Sequence, residues 1–215
     1  MDTDRLIQDL AGSLQPVKRL RPPLQRAVMW LLPVLVLATL AVLHYANLRL
    51  FAQRMTVTRT AVECAASALT GIAAVIAAFM LSVPDRSSRW LWLPLPTFIV
   101  WLLASGLGCL QNGLSLHTGG SFIGESSHCV VFILGASVPL AASLFAVLRR
   151  AQPIRPEPVA ALGALGVAAL AAFFLQFFHP FDVTVIDITL HLAAVGVVIL
   201  VATALRRPLL RGASS

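Results

Sequence analysis

Six segments of about twenty mostly apolar residues, joined by short polar links, constrain this chain more than any other feature. A helix rises about 1.5 Å per residue, so a run of that length crosses a hydrocarbon core of roughly 30 Å. The segments lie near Ala27–Ala46, Ala61–Val83, Trp90–Leu110, Cys129–Leu148, Pro158–Phe178 and Val185–Leu205. Of the 215 residues, 58% are hydrophobic and 12% charged, whereas soluble domains run near 45–50% and about 25%. Too few polar residues remain to cover a soluble surface, and a bilayer removes that need. The alternating ten-residue pattern of a membrane β-barrel is absent, and short links favour antiparallel neighbours. The expected fold class is an all-α integral membrane protein with six transmembrane helices in one bundle. Residues 1–26 form a cytoplasmic amphipathic helix and basic linker, 27–205 the membrane domain and 206–215 a basic cytoplasmic tail.

The formal charge of +7 is concentrated between apolar runs, which is a record of orientation and not a nucleic-acid stripe. Arg5, Lys18, Arg19, Arg21 and Arg26 precede span one. Arg86 and Arg89 link spans two and three, Arg149, Arg150 and Arg155 link four and five, and Arg206, Arg207 and Arg211 follow span six. Only Arg49, Arg54 and Arg59 fall on the other side. Both termini are therefore expected in the cytoplasm, with the lipid bilayer as a partner. A cleaved signal peptide is not expected, because a largely polar stretch precedes span one and several spans follow it.

Within the spans, Ala66, Thr70, Ala74 and Ala78 recur every fourth residue, as do Ala164, Ala168 and Ala172. Small residues at that spacing let helix backbones approach closely. Pro33, Pro94, Pro96 and Pro139 fit either helix packing or kinks along a transport path. Trp90 and Trp92 sit where indoles anchor at an interface. The chain holds no P-loop, no G-x-S-x-G elbow, no HExxH and no large soluble loop, so an enzyme is not expected. Its three cysteines contain no CxxC pair, which excludes a disulfide framework or a zinc ribbon.

The two membrane sides differ in chemistry. His44, His117, His128, His179 and His191, with Cys64, Cys109 and Cys129, all fall in outer loops or outer span halves, joined by Glu63, Glu125, Asp182 and Asp187. Imidazole, thiolate and carboxylate are the transition-metal ligand set, and thiols respond to oxidants. The candidate sensing residues are Cys129, Cys109, Cys64, His128, His179, His191 and Asp187. No resident cofactor is expected, with a transition metal entering only as a signal. The competing reading is incidental placement, with cysteine as a small hydrophobe and Asp187 and His191, one helical turn apart, satisfying each other.

The inner side begins MDTDRLIQDLAGSLQPVKRLRPP. Asp2 or Thr3 can cap a helix, Leu6, Ile7, Leu10, Leu14 and Val17 form its apolar stripe, and Pro16 stops it. Its polar face carries Asp2, Asp4 and Asp9 against Arg5 alone, whereas helices that lie on membranes favour Lys and Arg. Docking into a protein groove fits that pattern, with lying on the membrane or packing on the bundle as the other two placements.

Several stretches taken together are similar to a known family. They are DRLIQDLAGSLQPVKRLRPP from Asp4, LSVPDRSSRWLWLPLP from Leu81, GLGC ending at Cys109, and HCVVFILGASVPLAASLFAVLRRAQPIRPEPVAALGALG from His128. The ordered set resembles the NrsF family of six-span inner-membrane anti-sigma factors, negative regulators of an extracytoplasmic-function (ECF) sigma factor in proteobacteria, which implies a bacterial inner-membrane location. The resemblance implies that the cytoplasmic N-terminus holds the sigma factor while outer cysteines take part in detecting heavy-metal or oxidative stress. Cys129 matches a cysteine that the family places at the start of span four. The family's second sensing cysteine lies in the outer link between spans five and six, which here reads FFHPFDVTVID with His179 and no cysteine. A two-thiol switch across those positions is unavailable to this chain, leaving Cys109 or Cys64 as substitutes if they lie close. The competing class is a small transporter or metal-permeation protein, with Asp187, His191 and the prolines lining a path.

Overall fold

The structure, a computed structural model, describes residues 3–12, 19–111, 122–178 and 185–210. Within them every regular element is helical. The elements are α1 (Thr3–Gly12), α2 (Pro23–Tyr45), α3 (Leu48–Arg54), α4 (Thr58–Leu81), α5 (Leu95–Gln111), α6 (Phe122–Leu148), α7 (Pro156–Leu175), α8 (Val185–Ala204) and α9 (Arg206–Leu210), with short 3-10 turns at Ser88–Trp92 and Arg149–Ala151. Five described stretches are long and apolar enough to cross a membrane: Pro23–Tyr45, Thr58–Leu81, Ser88–Leu107, Val131–Ala151 and Pro156–Leu175. The sixth expected span coincides with α8, whose described apolar part, His191–Ala204, is shorter.

Proline placement explains several boundaries. Pro23 opens α2, and Pro94 and Pro96 flank the first residue of α5, where a missing N–H has no intrahelical partner to lose. Those two prolines therefore start a helix and kink nothing. Pro33 and Pro139 do fall inside α2 and α6. Between α6 and α7 the chain reverses at Gln152, whose φ of 47° places it in the left-handed region.

The core is built on α4 and α7, whose contact is the most extensive in the bundle. Ala66, Thr70, Ala74 and Ala78 on α4, and Ala164, Ala168 and Ala172 on α7, are all buried, as their four-residue spacing implies. The closest approach belongs to two glycines that the alanine pattern did not single out. A methyl group on Gly166 would lie 2.7 Å from Val75 Cγ2 and 3.0 Å from the Val75 backbone nitrogen. One on Gly71 would lie 2.7 Å from Leu170 Cγ and 3.0 Å from the Leu170 nitrogen. Around this pair, α2 and α5 pack on α4, while α6 and α8 pack on α7. Sequential order does not dictate every neighbour: among the described residues α5 packs on α4 and touches α8 without packing along α6.

Side-chain contacts align the helix ends. Arg26 Nη2 donates to the Val147 carbonyl at 2.8 Å, and the same guanidinium lies 5.3 Å from the centre of the Phe79 ring. Arg206 pairs with Glu157 at 2.9 Å. The start of α2, the ends of α4 and α6, the start of α7 and the end of α8 thus share one end of the bundle, which collects Arg26, Arg149, Arg150, Arg155, Arg206 and Arg207. Arg54 and Arg59 stand at the opposite end, around the start of α4.

If the glycine contact sets the helix spacing, Gly166→Leu should lower stability by about 1–3 kcal/mol, because extra methylenes cannot enter a packed seam without moving a helix. Gly106 and Gly196 have open space around them, so alanine there should leave unfolding temperature unchanged or raised. Thermal unfolding of the purified protein in detergent compares the three.

Candidate functional site

At the N-terminus, the expected amphipathic helix forms as α1. Ile7 and Leu10 each keep 58% of their surface exposed. Among the described residues α1 makes no extended packing with the membrane helices. Ten residues are too few for a helix to persist in water on its own, so α1 presents an apolar stripe that gains from a cover. Leu6 lies on the α1 backbone with its side chain outside the description, and Leu14 and Val17 lie outside the described residues.

At the opposite end of the bundle a buried carboxylate draws three elements together. Glu63, in the second turn of α4, is 4% exposed. Ser105 of α5 donates to Glu63 Oε1 at 2.8 Å, and the Gln176 side chain, just past α7, hydrogen-bonds to the same carboxylate. Arg54 and Arg59 stand close enough to attract it electrostatically. Arg54 also donates from Nη1 to the Gln176 carbonyl at 3.3 Å, and Phe51 stacks on Phe177 with ring centres 4.2 Å apart. The short helix α3, capped by Asn47 accepting from the Leu50 N–H at 3.1 Å, is thereby clamped to the end of α7. A carboxylate in an apolar helix is costly unless opposite charge and donors meet it, and this cluster supplies both.

Those candidate sensing residues whose backbone is described are distributed around the same end. Cys64, beside Glu63, is a free thiol with 6% exposure. So enclosed a thiol meets a dissolved oxidant or metal only when the helices part. His191 is half-buried on α8. By backbone position Cys109 falls in the last turn of α5, His128 and Cys129 in the N-terminal part of α6 and Asp187 in the first turn of α8, with their side chains outside the description. His179 lies outside the described residues. Among the described residues, no three His, Cys, Asp or Glu side chains gather closely enough to hold a metal ion.

A family profile described as "NrsF: Negative regulator of sigma F" matches residues 10–211. The chain belongs to the NrsF family. The match starts inside α1 and ends in the basic tail, so it takes in the whole membrane bundle. No curated protein and no solved structure matches the chain significantly. NrsF membership makes the sigma factor the partner class and agrees with a regulatory role.

Sequence reasoning placed Glu63 on the outer side but not its partners, Ser105 and Gln176, which are brought in by the fold from two other helices. An acidic residue inside an apolar run was itself the signal, because such groups almost always have a partner. The structure predicts that Glu63→Ala costs about 1–3 kcal/mol and Ser105→Ala about 1 kcal/mol. Because the two share one hydrogen bond, the double variant should lose less than the sum. Unfolding midpoints of the four proteins complete that cycle, and strictly additive losses would remove the bond from the account.

Proposed function

We propose that this chain is a membrane-bound anti-sigma factor that sequesters an ECF sigma factor through its cytoplasmic N-terminus and releases it on a periplasmic metal or oxidative signal. Membership of a family of sigma-factor regulators across residues 10–211 carries the reading. The exposed Ile7 and Leu10 of α1 supply a docking surface consistent with it. Six spans with both termini inside follow from the basic-residue count, and the gathering of arginines at one bundle end supports that arrangement. Family membership favours this reading over a small transporter.

In this mechanism, burial of the Leu6, Ile7, Leu10, Leu14 and Val17 stripe on the sigma factor occludes its polymerase-binding surface. Release requires two arrangements of the bundle that differ in sigma affinity, since a stimulus without differential interaction shifts nothing. Cys129, with Cys109, Cys64, His128, His179, His191 and Asp187 as further candidates, receives the stimulus at the opposite end.

Replacing Ile7 and Leu10 with Asp buries charge in an apolar contact and should weaken sigma affinity by at least ~3 kcal/mol, about a hundredfold. Sigma-dependent transcription would then run without stress. A variant that remains in the membrane and still represses fully would end the docking claim. Co-purification of the tagged protein with and without residues 3–15 gives the direct test: the sigma factor should follow only the intact chain. For the outer end, Cys129→Ser should abolish the metal or oxidant response while keeping the protein in the membrane. An unaltered dose response would take Cys129 out of the mechanism.

A further inference from the structure

Helices α2 and α6 meet at the arginine-rich end and leave a groove along the rest of their length. The meeting point consists of Arg26 on the Val147 carbonyl and of Trp30 Nε1 donating to Ser143 Oγ at 3.2 Å. Below it opens a cavity of about 1340 Å³, larger than the roughly 300–1,000 Å³ of a site for a drug-sized ligand. One face of α2, through Pro33, Leu37 and Ala41, forms one wall, and one face of α6, through Phe132, Ala136 and Pro139, forms the other. Both interior prolines of the bundle therefore line it.

The groove is polarised. Arg19, Arg21, Arg26 and Arg150 all border it at one end, and no Asp or Glu lines it among the described residues. Arg26 is 7% exposed, and its Nη1 is buried without a hydrogen-bond partner. Arg150 stands near enough to repel it. Among the described residues, Arg21 Nη1 meets a thioether, Met29 Sδ at 2.9 Å, and no carboxylate. Among the described residues, guanidiniums crowd without counter-charge at the mouth of an apolar groove, the arrangement that an anion completes.

We propose that this groove binds an anionic glycerophospholipid, with its headgroup phosphate on Arg19, Arg21, Arg26 and Arg150 and its acyl chains along the walls of α2 and α6. Basic pockets between membrane helices are suited to such headgroups. A second copy of the chain fits less well. A two-fold pair in the same membrane would bring the same arginine end of each copy together, like charge against like. A phospholipid supplies both what the mouth lacks and what the walls bury.

The test uses the full-length protein purified in detergent and exposed to phosphatidylglycerol or to phosphatidylcholine with the same acyl chains, with bound lipid counted by native mass spectrometry. The wild type should retain phosphatidylglycerol about tenfold better than phosphatidylcholine. Arg21→Gln with Arg150→Gln should erase most of that preference. These guanidiniums lie at exposed positions, so the unfolding temperature without added lipid should be unchanged. Ala38→Trp, which fills the groove and leaves every arginine in place, should reduce retention of both lipids. Equal retention of the two lipids by the wild type overturns the proposal. So does a preference that survives the double arginine variant, or a lipid-independent dimer cross-linked through cysteines placed at Ala38 and Ala136. None of these outcomes depends on the sigma factor, so the lipid site and the anti-sigma reading stand or fall separately.

Discussion

The contact of Gly71 and Gly166 with the facing helix is the constraint on which the bundle depends. In a bilayer, burying one apolar helix face on another gains nothing over lipid contact, so association relies on close packing and backbone approach. A Cβ at either glycine would fall within 2.7 Å of a neighbouring carbon, and the small residues on both sides extend the seam along α4 and α7. Side-chain hydroxyls do not disturb it: Ser67 and Thr70 donate to the carbonyls of Cys64 and Ala66 in their own helix, at 2.9 and 2.7 Å. The remaining helices need only fit around this pair, so α2 can carry many exposed large hydrophobic side chains.

Polar chemistry is consequently expelled to the two ends, where it takes opposite forms. At one end a single carboxylate, Glu63, is met by donors and positive charge from α3, α4, α5 and the turn after α7. That arrangement meets the carboxylate with donors and positive charge, and it locks short α3 to the bundle. At the other end arginines gather in greater number than carboxylates, and among the described residues Arg206 pairs with Glu157. An exposed pair of that kind contributes about 1 kcal/mol or less. The first end is built to hold helices in register, whereas the second is built to meet something negative.

Much of this was legible in the sequence, because the bilayer imposes a length and an apolarity that few other folds share. Five of the six spans are seen as helices of membrane length, and the alanine seams are buried where four-residue spacing placed them. The amphipathic α1 was also legible, since Ile7 and Leu10 fall on one helical face. What escaped were properties of pairs of helices. Gly71 and Gly166 are ordinary in isolation and matter only because α7 sits opposite α4. Arg26 read as one more orientation charge until the fold placed Val147 and Phe79 beside it. Ser105 and Gln176 carried no signal until Glu63 lay between them. The neighbours of α5 were open for the same reason: a short link limits distance, but packing chooses the partner.

The energetics of α1 bear on how a signal at one end of such a bundle can matter at the other. Fully burying a leucine or isoleucine contributes roughly 1.5–3 kcal/mol, so the five apolar residues of the N-terminal stripe, buried together on the proposed partner, give about 7–15 kcal/mol of gross gain. Ordering the stripe and losing translational freedom consume at least about 4 kcal/mol of those, so the upper part of that range leaves an affinity between about micromolar and about ten nanomolar. An interaction of that strength is released by a coupling of only about 1–3 kcal/mol, comparable to one hydrogen-bonded contact among helices. The contacts that tie α2 to the bundle are of that size: the Arg26 bond to Val147, the Trp30 bond to Ser143, and, through α3, the Arg54 and Phe51 contacts with the end of α7. Residues 13–22 separate α1 from α2 in the chain, so in the proposed mechanism a change at the α3 clamp is carried along α2 toward the proposed docking segment while the α4–α7 core keeps its packing.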